Sequence, residues 1–96
     1  MHERSVGRHT PVAQSNLGFM YQQGQGVEQN YAKAVEYYQL AADQGYDRAQ
    51  HNLSIMYRKG QGVEQNYAKA VEYNQLAADQ GFAGAQASLG FMYPQC

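Results

Sequence analysis

Apolar and polar positions alternate along this chain in two helical patterns that repeat. The first runs through Ala13, Leu17, Met20, Tyr21 and Gly24, which at about 100° per residue share an arc of about 100°. That stripe predicts an amphipathic helix, here called a helix A. Thr10-Pro11 marks its start, with Thr as N-cap and Pro at the first helical position. Gly24-Gln25-Gly26 marks its end. The second pattern, Tyr31, Ala34, Val35, Tyr38, Ala41 and Ala42, spans about 120° and predicts a helix B. Asn30 is its expected N-cap and Gly45 the expected left-handed residue after it. Gly18 sits beside the helix-A stripe, where its small size admits a close neighbour.

Both patterns recur at a period of 36. Ala13–Arg48 aligns with Ala49–Gly84 at 27 of 36 identical positions, and Gly24–Tyr37 returns unchanged as Gly60–Tyr73. A further copy starts at Ala85 and reaches Cys96, with Pro94 expected to stop its helix. The expected organisation is a flexible lead over 1–10 and a repeat domain over 11–96, with units 13–48 and 49–84 and a partial unit 85–96. The expected fold class is all-α: an α/α solenoid of five helices in the order A-B-A-B-A. No segment shows the period-2 alternation of a strand. Periodic Ala, Leu, Met and Tyr at these positions read first as core packing.

Composition narrows the function. Ninety-six residues allow one small domain. Seven Lys+Arg against eight Asp+Glu give a net charge of -1, which argues against nucleic acid and against a polybasic membrane module. A single cysteine, Cys96, forbids an internal disulfide. No apolar run approaches the ~20 residues of a membrane span. The first twelve residues lack the apolar stretch of a signal peptide, so a soluble chain of unknown compartment is expected.

The pattern Ala13-x-x-x-Leu17-Gly18-x-x-Tyr21-x-x-Gly24-x-Gly26-Val27, then Lys33-Ala34, Tyr37-Tyr38, Ala41-Ala42 and Gly45, resembles the Sel1-like repeats, relatives of the tetratricopeptide repeat. Unit two repeats it but has Ser54 where the family usually has Gly and Asn74 where it usually has an aromatic. The resemblance implies an α/α solenoid that binds proteins, with no chemistry of its own. It also implies a bacterial, often periplasmic or secreted, setting.

Nine positions differ between the two units, five of them in helix A: Ser15/His51, Gly18/Ser54, Phe19/Ile55, Gln22/Arg58 and Gln23/Lys59. They span about 140° opposite the apolar stripe. The expectation is that identical positions build the stack and differing ones face outward or into a groove. Phe19, Ile55 and Phe91 fall at one equivalent position, flanked by Gln22, Gln23, His51, Arg58 and Lys59. These eight residues form the candidate surface for a protein or peptide partner. The competing reading packs the three apolar side chains against neighbouring A helices. Tyr38/Asn74 lies mid-face on helix B, where Asn74 reads either as a water-tolerant end-unit residue or as drift within a longer array.

Other chemistry fails on spacing. Gly24-x-Gly26 and Gly60-x-Gly62 follow helices and lack the phosphate-loop Lys-Ser/Thr, so they read as turns. His2, His9, His51 and Cys96 show no metal spacing. Glu36/Glu72 and Asp43/Asp79 recur once per unit and read as solvated surface. Some relatives carry a β-lactamase label, but no serine here begins a Ser-x-x-Lys motif. The chain is expected to be non-enzymatic and without cofactor. Its rival role is end-to-end stacking with another copy, or membership of a longer array.

Overall fold

The computed structural model describes residues 10–92, and the side chains of 10–90. Within that span lie five α-helices and no strand: α1 (Pro11–Gln23), α2 (Tyr31–Asp43), α3 (Asp47–Lys59), α4 (Tyr67–Asp79) and α5 (Ala83–Met92). The expected α/α solenoid in A-B-A-B-A order is what forms. Residues 1–9 of the expected lead lie outside the described span, as do Pro94 and Cys96.

Local chemistry fixes the helix ends as the sequence implies. Thr10 Oγ1 accepts the Ala13 amide at 3.1 Å, and Asn30 and Asn66 accept the Lys33 and Lys69 amides at 3.0 Å. Gly24 and Gly60 close α1 and α3 in the left-handed region, at φ 72° and 70°. Gln29 Nε2 and Gln65 Nε2 reach back to the last-turn carbonyls of Gln22 and Arg58, each at 2.8 Å. The identical sequence of the two A–B connections therefore gives two identical turns.

Alanine lets the helices approach. Ala34, Ala41, Ala49, Ala70, Ala77 and Ala85 are all fully buried, at helix crossings where a larger side chain would hold the backbones apart. Around them pack Tyr38, Leu53 and Met56, also fully buried. The helix-A stripe is filled only where a helix has neighbours on both sides. In α3, Ala49, Leu53 and Met56 are buried, whereas their counterparts in α1, Ala13, Leu17 and Met20, are half-exposed.

Glutamines in the first turn of each helix A, Gln14 and Gln50 buried and Gln86 exposed, set the register between units. Gln50 is 4% exposed; its Nε2 donates to the Ala42 carbonyl at the end of α2 (3.3 Å), and its Oε1 accepts from Gln80 Nε2 (2.8 Å). Gln14 accepts from Gln44 in the same way at 2.6 Å, and Gln86 donates to the Ala78 carbonyl at 3.2 Å. Gln50 and Gln86 thus add a second bond to a last-turn carbonyl of the preceding helix B, already bonded by the Gly45 or Gly81 amide, while Gln14 ties α1 to Gln44 at the end of α2.

The turn Gly60–Val63 also crosses onto unit one. A Cβ on Gly62 would lie 2.5 Å from the Tyr31 carbonyl oxygen and 3.0 Å from Val35 Cγ2, and φ there is +78°. Only glycine fits so tight an approach.

Gln50→Leu keeps the volume but removes one of the two donors to the Ala42 carbonyl and the acceptor of Gln80 Nε2, so it is expected to cost about 0.5–1.5 kcal/mol. Gln86→Leu, at an exposed position, is expected to cost less. Urea unfolding of both variants checks the order, and equal losses would refute the register role.

Candidate functional site

The five differing helix-A pairs do not share one outward face. Ser15 and Ser54 are 3% and 2% exposed, and Gly18 is also buried. Helix α3 packs on α2 and α4 together, which widens its buried arc well past the apolar stripe to take in Gln50 and Ser54. The expectation that differing positions face outward or into a groove is therefore corrected for Gly18/Ser54, whereas Ser15, though buried, lines a groove.

Gly18 and His51 instead meet the Tyr38/Asn74 position across the A–B pair. In unit one, a Cβ on Gly18 would lie 2.8 Å from the Tyr38 ring, so glycine makes room for tyrosine. The Tyr38 hydroxyl donates to Gln22 Oε1 at 2.6 Å and also bonds the Asn52 side chain. In unit two, Ser54 replaces the glycine and Asn74 the tyrosine. Asn74 is fully buried, accepts from His51 Nδ1 at 2.9 Å and donates to the Ala85 carbonyl at 3.4 Å. That second bond aims Oδ1 at His51, which places the ring proton on Nδ1. The His51 ring also packs on Phe82, centroids 5.3 Å apart. Three of the expected outward or water-facing residues, Gln22, His51 and Asn74, thus serve internal networks. Asn74 is not a water-tolerant end residue.

Burial pushes the Tyr38 phenol up to about 12, with the Asn52 hydrogen bond pulling the other way. A phenol held protonated above its unfolded value of about 10 stabilises the fold fully below that pH. The contribution is lost as pH rises through the folded value.

What remains open is a groove of about 320 Å³ between α1 and α3, lined by Ser15, Asn16, Phe19, Arg48, Asn52 and Phe82. It lies roughly 40° further round the helical wheel than the expected surface. Of the eight candidate residues only Phe19, 45% exposed, lines it. Ile55 and Arg58 are half-buried, while Gln23 and Lys59 are exposed at the helix ends. The Phe91 side chain lies outside the described residues. Asn16 and Asn52 are identical in both units, so variation between the units does not mark them as site residues. Arg48, in the first turn of α3, and Phe82, just before α5, belong to differing pairs at the B–A junctions, the signal that marks them. Among the described residues no group of three His, Cys, Asp or Glu is placed to hold a metal.

Comparison with known proteins settles the family. The Sel1 repeat matches residues 11–46 and 47–82. The chain belongs to the Sel1 repeat family. A Sel1 repeat protein from Oxalobacter formigenes is 36% identical, with a TM-score of 0.90, over 95% of this chain and 37% of that one. The protective antigen c5321 of uropathogenic Escherichia coli, which displays an SLR fold, is 44% identical, with a TM-score of 0.82, over 83% of this chain and 17% of that one. The Sel1 chain thus spans well under half the length of either neighbour, and both neighbours are bacterial. A search of curated proteins gives no match. No described helix is long and apolar enough to cross a membrane.

Two outcomes are expected here. Asn74→Tyr alone should overpack against Ser54 and lose about 1–3 kcal/mol. Adding Ser54→Gly should recover part of it, with a coupling of about 1 kcal/mol or more in a double-mutant cycle; additivity within about 0.5 kcal/mol would contradict the pairing. Between pH 10 and 12 the native chain should lose about 2–3 kcal/mol more than Tyr38→Phe does. Denaturant unfolding at pH 8 and pH 11.5 checks this, and parallel losses would contradict it.

Proposed function

We propose that this Sel1 chain is a non-enzymatic interaction scaffold whose α1–α3 groove holds an extended peptide segment of a protein partner. The groove itself carries the reading. Two aromatic side chains, Phe19 and Phe82, give apolar contact. Asn16 and Arg48 are exposed beside them. Among the described residues neither makes a side-chain hydrogen bond or ion pair. Asn16 can pair with a peptide backbone, and Arg48 favours a carboxylate on the partner. The residues at the expected surface that take part in no internal side-chain bond, Phe19, Gln23, Ile55, Arg58 and Lys59, border this groove or continue along α1 and α3. The family's usual role as a protein-interaction scaffold supports the same reading. The description of one neighbour as a protective antigen supports a periplasmic or secreted setting for the interaction.

Peptides selected from a random library against the full chain test this. Phe19→Asp and Arg48→Glu should each weaken the selected peptides roughly ten-fold or more, about 1.4 kcal/mol. Glu36→Gln, on the exposed side of α2, should leave them unchanged. Selected peptides indifferent to both groove variants would overturn the proposal.

A further inference from the structure

Charge is divided between the A helices and the B helices. Helices α1 and α5 carry no charged residue, and α3 carries Arg48, Arg58 and Lys59 against Asp47. The two B helices with the turns before them carry six acids against two lysines, Lys33 and Lys69. A net charge of -1 thus hides a cationic A layer beside an acidic B layer. The cations of the two layers are also used differently. Lys33 and Lys69 lie 5.9 Å over the Tyr21 and Tyr57 rings. Arg48 and Lys59 are exposed, and their side chains meet no acid or acceptor among the described residues.

These two cations share a face with the groove. On α3, Arg48, Asn52, Ile55 and Lys59 fall within an arc of about 60° on the helical wheel, and Asp47 lies about 80° outside it. On α1, Val12 and Phe19 are the counterparts of Arg48 and Ile55, exposed at 51% and 45%. One wall of the groove is therefore neutral and apolar, and the other has a cation at each end. Arg48 and Lys59 are about 16 Å apart along the axis of α3, at roughly 1.5 Å per residue. Between them stands Asn52. The single hydroxyl proton of Tyr38 goes to Gln22, so the phenol oxygen accepts the Asn52 amide, and Asn52 Oδ1 is left to the groove as an acceptor.

We propose that the segment held in this groove is acidic, with two carboxylate side chains seated on Arg48 and Lys59 and one apolar side chain between them against Phe19. The inference rests on the peptide-groove reading above and adds the chemistry of the partner. In an extended segment, side chains on one face recur at every second residue, with a rise of about 3.3 Å per residue. A run of acid-x-apolar-x-acid presents all three groups on one face, its acids about 13 Å apart. The long side chains of Arg48 and Lys59 close the remaining few ångströms. A backbone amide of the segment donates to Asn52 Oδ1. The acidic B layer repels the same segment, so charge selects the groove as well as the partner.

Peptides selected from a random library against the full chain test this. They should be enriched in two acids four positions apart around an apolar residue. Synthesised with both ends blocked, such a peptide should bind Lys59→Glu roughly five-fold or more weakly than the native chain. It should also bind more weakly at about 0.5 M than at about 0.05 M salt. A peptide of the same composition with its two acids adjacent should bind the native chain several-fold more weakly. Lys59 is exposed, so the variant should keep its helical circular dichroism. Three results would overturn the acidic partner and leave the groove reading standing, each for peptides that need Phe19: no paired acids, indifference to Lys59→Glu, or equal binding of the adjacent-acid peptide. Peptides indifferent to Phe19→Asp, or a selection that returns no peptide, would overturn both.

Discussion

The stack depends on one recurring amide. The Ala42 carbonyl at the end of α2 already accepts the Gly45 amide at 2.9 Å, and it takes a second bond from the next unit. Gln50 answers the Ala42 carbonyl with its Nε2 and takes a bond from Gln80 with its Oε1, so one side chain touches the unit before it and the helix after it. That arrangement fixes how far along α2 the helix α3 can slide. With the slide fixed, Gly62 can be pressed onto the Tyr31 carbonyl, and the alanine crossings come into contact. Loss of the amide would loosen the register on which the close approaches rely.

Within that register the two units solve the same space differently. Unit one pairs glycine with tyrosine, Gly18 under the Tyr38 ring. Unit two pairs serine with asparagine and recruits His51 to bond the asparagine. The exchanges make sense only as sets. Tyrosine needs the missing Cβ, and asparagine, being shorter, needs polar neighbours to satisfy its amide at full burial. The repeat is therefore tolerant of sequence change across a helix pair and intolerant of it at any one position.

This explains which parts were legible in the sequence. Caps, turns and helix phases follow from local chemistry, and Thr10, Asn30, Asn66, Gly24 and Gly60 each behave as their residue types require. The Ala, Leu and Met stripe correctly marks the helix-A contact. Comparison of the units does not report exposure, because two residues in contact can change together as readily as two residues in water, as Gly18/Ser54 does with Tyr38/Asn74. The groove was half visible: Phe19 through its type, Arg48 and Phe82 through their variation. Asn16 and Asn52 were hidden by their identity. No one-dimensional period says that a polar residue repeated in register lines a concave wall.

The paired tyrosines carry a consequence of a different kind. Tyr21 stacks on Tyr37 and Tyr57 on Tyr73, each with centroids 5.8 Å apart and near-parallel rings. Each couple joins the two helices of one unit, with Lys33 or Lys69 lying 5.9 Å over one ring. The chain contains no tryptophan, so its near-ultraviolet signal comes from tyrosine and phenylalanine alone. Parallel phenols at this separation couple their transitions and lose that coupling when the helices part. Each unit thus carries its own built-in optical gauge of helix pairing, separate from the backbone signal that reports helix content.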